Sequence, residues 1–175
     1  MAAHEIRVFG DPVLKMTTAP VTDIDGALVN LVDAMYTTMY EAPGVGLAAP
    51  QVGVRKRFFV YDVHEDAGPS VIFNPEIVDS GGEVVYEEGC LSFPGLYFEI
   101  VRAKVVVVQG IDIDGNEVVV EADDLMGRVF QHELDHLDGV LMLDRLEGRQ
   151  RKRALRMIRE QGIGATAAPG LRPTS

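Results

Sequence analysis

Residues 103–139 read AKVVVVQGIDIDGNEVVVEADDLMGRVFQHELDHLDG, and a change of rhythm inside this stretch decides the fold. AKVVVVQGI and EVVVEA are β-branched runs separated by DIDGN, whose Asp, Gly and Asn supply turn chemistry, so the pair reads as a β-hairpin. From about Asp124 the apolar residues fall at helical spacing instead, with Leu125, Val129, Phe130, Leu134, Leu137 and Leu141 available to pack against the strands. Gly139 stands near or just inside the end of that helix.

The rest of the chain extends the pattern. IRVFGDPVLKMTTAPV, with two prolines and small polar residues, reads as an irregular lead-in. Asp23 is placed to cap a helix running to about Glu41, with Leu28, Leu31, Val32, Met35 and Met39 on one face and Pro43–Gly44 as the stop. After the loop GVGLAAPQVG, RKRFFVYDV and VIFNPEIV read as strands, and EEGCLSFPG as the end of a strand leading into an irregular loop. GRQRKRALRMIREQ reads as a C-terminal helix, followed by a frayed tail, GIGATAAPGLRPTS. Helices and antiparallel strands in separate runs give an α+β fold: antiparallel sheets around a central helix, one domain over 1–161 that includes the basic C-terminal helix, and a flexible tail over 162–175.

A chain of 175 residues, 47% apolar and 25% charged, has room for one domain with a real core. No apolar run approaches the roughly 20 residues that a membrane helix needs, and MAAHEIRVFG has neither a signal nor a transit pattern, so a cytoplasmic protein without a membrane partner is expected. A single cysteine, Cys90, excludes any disulfide within the chain. The net charge of −11 argues against wholesale nucleic-acid binding. It is unevenly spread: Arg145 to Glu160 carries seven Arg or Lys against two Glu.

Two of the four histidines lie in HELDH. On a helix, residues four apart are separated by 400°, so His132 and His136 lie about 40° apart on one face and one turn apart in height. Both imidazoles can reach one ion. Glu133 is close enough to touch a water on that ion without ligating it, the H-E-x-x-H arrangement of zinc hydrolases. Alone, a pattern with three set positions also turns up by chance on solvated helices. Here the apolar neighbours bury the helix, and buried imidazoles beside a carboxylate need partners. Asp135 and Asp138 are candidates to orient a ligating imidazole, although exposed aspartates are the commoner case.

A catalytic site usually needs a third protein ligand. The chain has no later histidine; Glu147 and Glu160 follow, beside and within the basic run. Upstream, Cys90 lies 42 residues before His132. A lone cysteine is most often a small buried hydrophobe, but Gly89 lets backbone approach closely there, and thiolate plus two imidazoles suits zinc or ferrous iron with a fourth position left for water. GVGLAA, residues 44–49, matches a dinucleotide fingerprint by letter, but that motif requires a strand before it and a helix after it. The order here is helix, loop, strand, so the nucleotide reading fails. Gln51 adds a side-chain amide donor beside backbone that glycines leave open.

Taken in order, GVGLAAPQ, EGCLS and QHELDH resemble the signature segments of the peptide deformylases, and the likeness extends over about residues 5–160. The resemblance implies that Cys90, His132 and His136 bind one divalent metal, that Glu133 moves the proton, and that Gln51 and the backbone N–H of Leu91 hold the oxyanion. It also implies that Val45, Gly46 and Gly89 bind the substrate backbone and that Leu125 and Val129 form the pocket for the methionine side chain. The implied substrates are N-formylmethionyl peptides. The implied metal is Fe2+ in the cell, with Zn2+ or Ni2+ also found. Tyr97 stands where some members carry an arginine near the peptide's path, and Tyr86 is larger than the aliphatic residue often found beside the pocket. The basic C-terminal segment resembles the helix by which some members dock on the ribosome; a solvated cationic helix is the alternative. No sequence-specific nucleic-acid contact is expected. Two rival readings differ in class: a different metallohydrolase, such as a peptidase with a glutamate as third ligand, and a metal-stabilised ribosome-associated or regulatory protein without turnover.

Overall fold

Asp25 begins the first helix: its backbone is extended, and its carboxylate accepts the Leu28 N–H at 2.8 Å. The expected cap, Asp23, stands two residues too early to reach that donor. The computed structural model describes residues 2–63 and 66–164. In it α1 spans Gly26–Glu41 and buries Leu28, Val32, Met35 and Met39. The helix ends before Pro43, which cannot continue it.

The glycine segment is more ordered than the loop expected for it. Gly46–Ala48 forms strand β1, antiparallel to β2 (Phe58–Tyr61), and a 3-10 turn over Ala49–Val52 follows. Strand β3 (Ser70–Gly81) is longer than its apolar core suggested, because Pro75 is absorbed by a register shift between Phe73 and Glu76. Asn74 there adopts φ 52°, and its side-chain amide bonds both backbone groups of Val21, at 2.7 and 2.9 Å. The hairpin of β6 (Val105–Ile111) and β7 (Glu117–Asp123) forms as expected; the Asp112 carboxylate accepts the N–H groups of Asp114 and Asn116, and Gly115 turns at φ 84°. These five strands make one antiparallel sheet in the order β1-β2-β3-β6-β7.

A second hairpin stands apart: β4 (Val84–Cys90) pairs with β5 (Phe93–Arg102) through only Leu91 and Ser92. The irregular loop expected after Gly89 is therefore a tight turn. Pro94 and Gly95, which argued for a loop, lie in β5 at a register shift opposite Gly89 and Cys90.

Strand β2 is covered on both faces, which is why FFVY reads as a continuous apolar run. Phe58 and Val60 face α1, while Phe59 packs with Phe130, Leu134 and Leu137 of α2 (Asp124–Leu137). Phe93, Leu96, Phe98 and Ile100 of β5 form a third cluster with Leu141–Leu143 and with Ala154 and Ile158 of α3 (Gly148–Glu160). The central helix α2 is thus flanked by the sheet and the hairpin, the α+β arrangement expected. No helix among the described residues is long and apolar enough to cross a membrane. Of the tail expected over 162–175, residues 165–175 lie outside the described residues.

Candidate active site

Helix α2 carries His132 and His136 one turn apart, and the β4–β5 turn delivers Cys90 to the same place. Cys90 Sγ lies 3.3 Å from His136 Nε2, which lies 3.3 Å from His132 Nε2, and the three donor atoms all fall within 4.8 Å of one another. Bonds of about 2.0–2.3 Å to a tetrahedral ion place neighbouring donors about 3.3–3.6 Å apart, so this set fits three corners of a metal site. Glu147 and Glu160, the downstream carboxylates, are exposed on α3 and its cap, outside the donor group.

The orienting partner of the metal-facing ring is one that sequence reasoning missed. Glu88 accepts from His132 Nδ1 at 3.0 Å, which turns Nε2 toward Cys90 and His136. Glu88 is itself held by Arg102 through two bonds of 2.9 Å, with both side chains buried. Burial alone pushes the Glu88 carboxyl up, but the hydrogen bonds and charges of Arg102 and His132 bring it down to about 2. Asp135 and Asp138, the sequence candidates for this role, have other work: Asp135 pairs with Arg102 and Arg145, and Asp138 with Arg57. The only signal for Glu88 was its place two residues before Cys90, where a strand returns to the same face.

Glu133 is 4% exposed and its Oε2 has no hydrogen-bond partner. Burial pushes its carboxyl up to about 7, against the pull of His132. Gly46 makes room for it, since a Cβ there would stand 2.8 Å from Glu133 Oε1 and 2.9 Å from Val129 Cγ1. Gln51 is 1% exposed and held at both ends: Oε1 accepts the Ala48 N–H at 2.9 Å, and Nε2 donates to Ser92 Oγ at 3.1 Å. The backbone donor settles which end is oxygen, so Nε2 is the end that faces Cys90 Sγ, 3.8 Å away.

A cavity of about 640 Å³ opens on this group. Cys90, His132, Glu133, Gln51 and Leu91 line it, as do all five residues expected to bind substrate: Val45, Gly46, Gly89, Leu125 and Val129. His136 lies behind them, 2% exposed. Leu125 is 39% exposed because it faces this cavity mouth instead of the strands it was expected to pack against.

Residues 3–152 match the family described as polypeptide deformylase. The chain belongs to that family. It is 51% identical over 160 residues to the peptide deformylase of Acidothermus cellulolyticus, covering 91% of this chain and 88% of that one. Among solved structures it resembles a peptide deformylase from Legionella pneumophila with a TM-score of 0.87 at 41% identity, covering 91% of this chain and 95% of that one. A peptide deformylase from Synechococcus elongatus in complex with actinonin aligns over 99% of this chain and 94% of its own, with a TM-score of 0.87 at 38% identity. Deformylases are metal-dependent hydrolases, and the Cys90, His132 and His136 donors supply a set that can hold the ion. Burial, then the His132 and Arg102 charges, drives His136 well below its ordinary pKa, which keeps its ring neutral and able to offer a lone pair.

Proposed function

We propose that this protein removes the formyl group from the N-terminal methionine of nascent polypeptides, releasing formate. The observation that carries the reading is three metal-capable donors beside a buried carboxyl with a free oxygen, in a deformylase-family chain. A structural zinc site is closed by four protein ligands, whereas three leave a position for chemistry, which disfavours a regulatory protein without turnover.

Cys90, His132 and His136 are assigned as the ligands. When bound, the ion supplies the Lewis acidity that polarises the formyl carbonyl and acidifies water. Glu133 takes the proton of the attacking water at Oε2 and passes it to the departing amine nitrogen; a carboxyl held near 7 can do both at neutral pH. Gln51 Nε2 donates one N–H to Ser92, and its second, directed toward Cys90 Sγ 3.8 Å away, is assigned to the developing oxyanion, with the Leu91 N–H as the other donor. Because both ends of the Gln51 amide are anchored, little reorganisation is left for the moment of reaction. Val45, Gly46 and Gly89 are assigned to the substrate backbone, and Leu125 and Val129 to the methionine side chain.

Fe2+ is the ion assigned in the cell, and Zn2+ or Ni2+ those taken up during purification, since affinity for such ligands favours the later metals. The setting assigned is the cytoplasm, with residues 1–161 as one catalytic unit. The cationic face of α3 is assigned to the ribosome, whose surface is anionic. The deciding experiment is formate release from a short formyl-methionyl peptide by protein reloaded anaerobically with iron. Turnover is expected for the wild type, and Glu133→Ala should keep its metal and lose activity. Metal retained by Cys90→Ser after dialysis would overturn the ligand assignment.

A further inference from the structure

Ser92 is fully buried and lines no part of the substrate cavity, yet it bonds the side chain to which the oxyanion is assigned. Its hydroxyl has one proton to give, and the Arg7 carbonyl accepts it at 2.7 Å. Gln51 Nε2, 3.1 Å away on the other side, is an amide nitrogen with no lone pair to offer, so Ser92 Oγ is its acceptor. The result is a chain with one direction: Gln51 N–H to Ser92 Oγ, then Ser92 O–H to the Arg7 carbonyl. Arg7 closes the loop, because its own N–H donates to the Gln51 backbone carbonyl at 2.7 Å, while the Phe9 N–H donates to the Ser92 carbonyl at 2.9 Å. The N-terminal segment therefore bonds both pieces of chain that carry the assigned donors, the 3-10 turn with Gln51 and the β4–β5 turn in which Ser92 follows Leu91. That segment is itself held. Phe9 stacks on Phe93 with ring centroids 5.1 Å apart, and Gly53, at φ 83°, leaves room for the Arg7 guanidinium, which a Cβ there would meet at 2.9 Å.

We propose that Ser92 is a positioning residue that acts through Gln51, aiming the second N–H of its side-chain amide at the place where the formyl oxygen becomes negative. This rests on the deformylase reading above. An amide held only at Oε1, by the Ala48 N–H, still turns about that contact; the bond to Ser92 removes the freedom. The two protons on Nε2 lie in one plane with the amide, so committing one to Ser92 sets the direction of the other. That direction is toward Cys90 Sγ, 3.8 Å away, where the metal donors converge. Because Ser92 touches no substrate, its influence falls on the charge that develops in the transition state and not on binding of the ground state. A serine that only stitched the N-terminal segment to the hairpin would cost stability on removal and leave the kinetics of the folded enzyme alone.

The test is a double-mutant cycle on formate release from a short formyl-methionyl peptide by metal-loaded enzyme. Gln51→Ala sets the ceiling, since losing an oxyanion donor outright costs about 10²–10³-fold in rate. Ser92→Ala leaves the donor present but unaimed, so it should lower kcat by about tenfold with KM within about twofold of wild type. In the Gln51→Ala background the same change should cost nothing further, because there is no amide left to aim. Ser92→Cys, whose thiol is a weak donor and a weak acceptor, should behave like Ser92→Ala and carries the cycle if the alanine variant does not fold. Equal losses in both backgrounds, or a wild-type kcat in whichever of the two variants folds, overturn the proposal while leaving deformylation intact. Nitrogen-15 NMR of zinc-loaded protein gives a readout without turnover: the Gln51 side-chain amide signals, identified by their disappearance in Gln51→Ala, should move on substitution of Ser92. Unmoved signals overturn the proposal. No formate from the metal-loaded wild type would instead overturn the functional reading, and the amide signals would still decide whether Ser92 holds Gln51.

Discussion

Helices α2 and α3 are nearly equal in length, 14 and 13 residues, and both have one apolar face, yet they bury different chemistry. Helix α3 buries only Ala154 and Ile158 and leaves Arg149, Lys152, Arg153, Arg156 and Arg159 in water. Helix α2 buries Gln131, Glu133 and His136. Taking such groups out of water is costly unless they find partners, so their burial marks a place where other parts of the fold supply them. Gln131 bonds both backbone groups of Ala103 at 2.9 Å, His132 meets Glu88, and Asp135 meets Arg102. Glu133 Oε2, His136 Nδ1 and Arg128 Nε are left over, all on residues in or beside the site. Chemistry is located where polar burial is incomplete, and α3 has none of it.

The contrast can be broken in stages. Glu133→Gln replaces the carboxyl proposed to carry the proton and should lower formate release by about 10²–10⁴-fold with metal content unchanged, read by single-turnover assay and metal analysis. Gly46→Ala puts a methyl where Glu133 Oε1 and Val129 Cγ1 now lie; moving a reacting group by even 1 Å can cost about 10²-fold, so a drop of that order is expected without loss of metal. Glu88→Ala takes from buried Arg102 one of its two carboxylate partners, Asp135 remaining, and leaves His132 unoriented, and chemical denaturation should show a loss of about 1–3 kcal/mol.

That last loss should depend on pH in a set direction. The Glu88 pKa falls on folding from an ordinary 4.5 to about 2, so its stabilisation is fully present above pH 4.5 and is lost as pH falls from there toward 2. Wild type and Glu88→Ala should therefore converge in acid. On α3, the triple change Arg149/Lys152/Arg156→Gln should alter stability by no more than about 0.5 kcal/mol, because these side chains are solvated. The same variant should sediment less with ribosomes at low salt. Unchanged sedimentation would remove the ribosome assignment, and a large loss of stability would erase the contrast between the helices.

Sequence reasoning reached furthest where the determinant was local. The β6–β7 hairpin followed from DIDGN, and α2 from its apolar spacing. It failed where a residue's environment lay elsewhere. Asp23 and Asp25 are indistinguishable by type, and only the backbone shows which one reaches the Leu28 N–H. Pro94 and Gly95 argued against a strand that burial of Phe93, Leu96, Phe98 and Ile100 nevertheless holds in place. Glu88 looked like one more acid in a chain with 27.

The sequence by itself determined that His132 and His136 share a helix face with Glu133 beside them, because 3.6 residues per turn makes that a property of five adjacent letters. It also nominated Cys90 as the missing ligand, since no later histidine was on offer. Only the tertiary structure decided that Cys90 Sγ stands 3.3 Å from His136 and that Glu88 and Arg102 lie beneath His132. Those contacts join residues 14 to 46 apart, and burial of the β4–β5 hairpin against the rest of the core, not any local preference, brings them together.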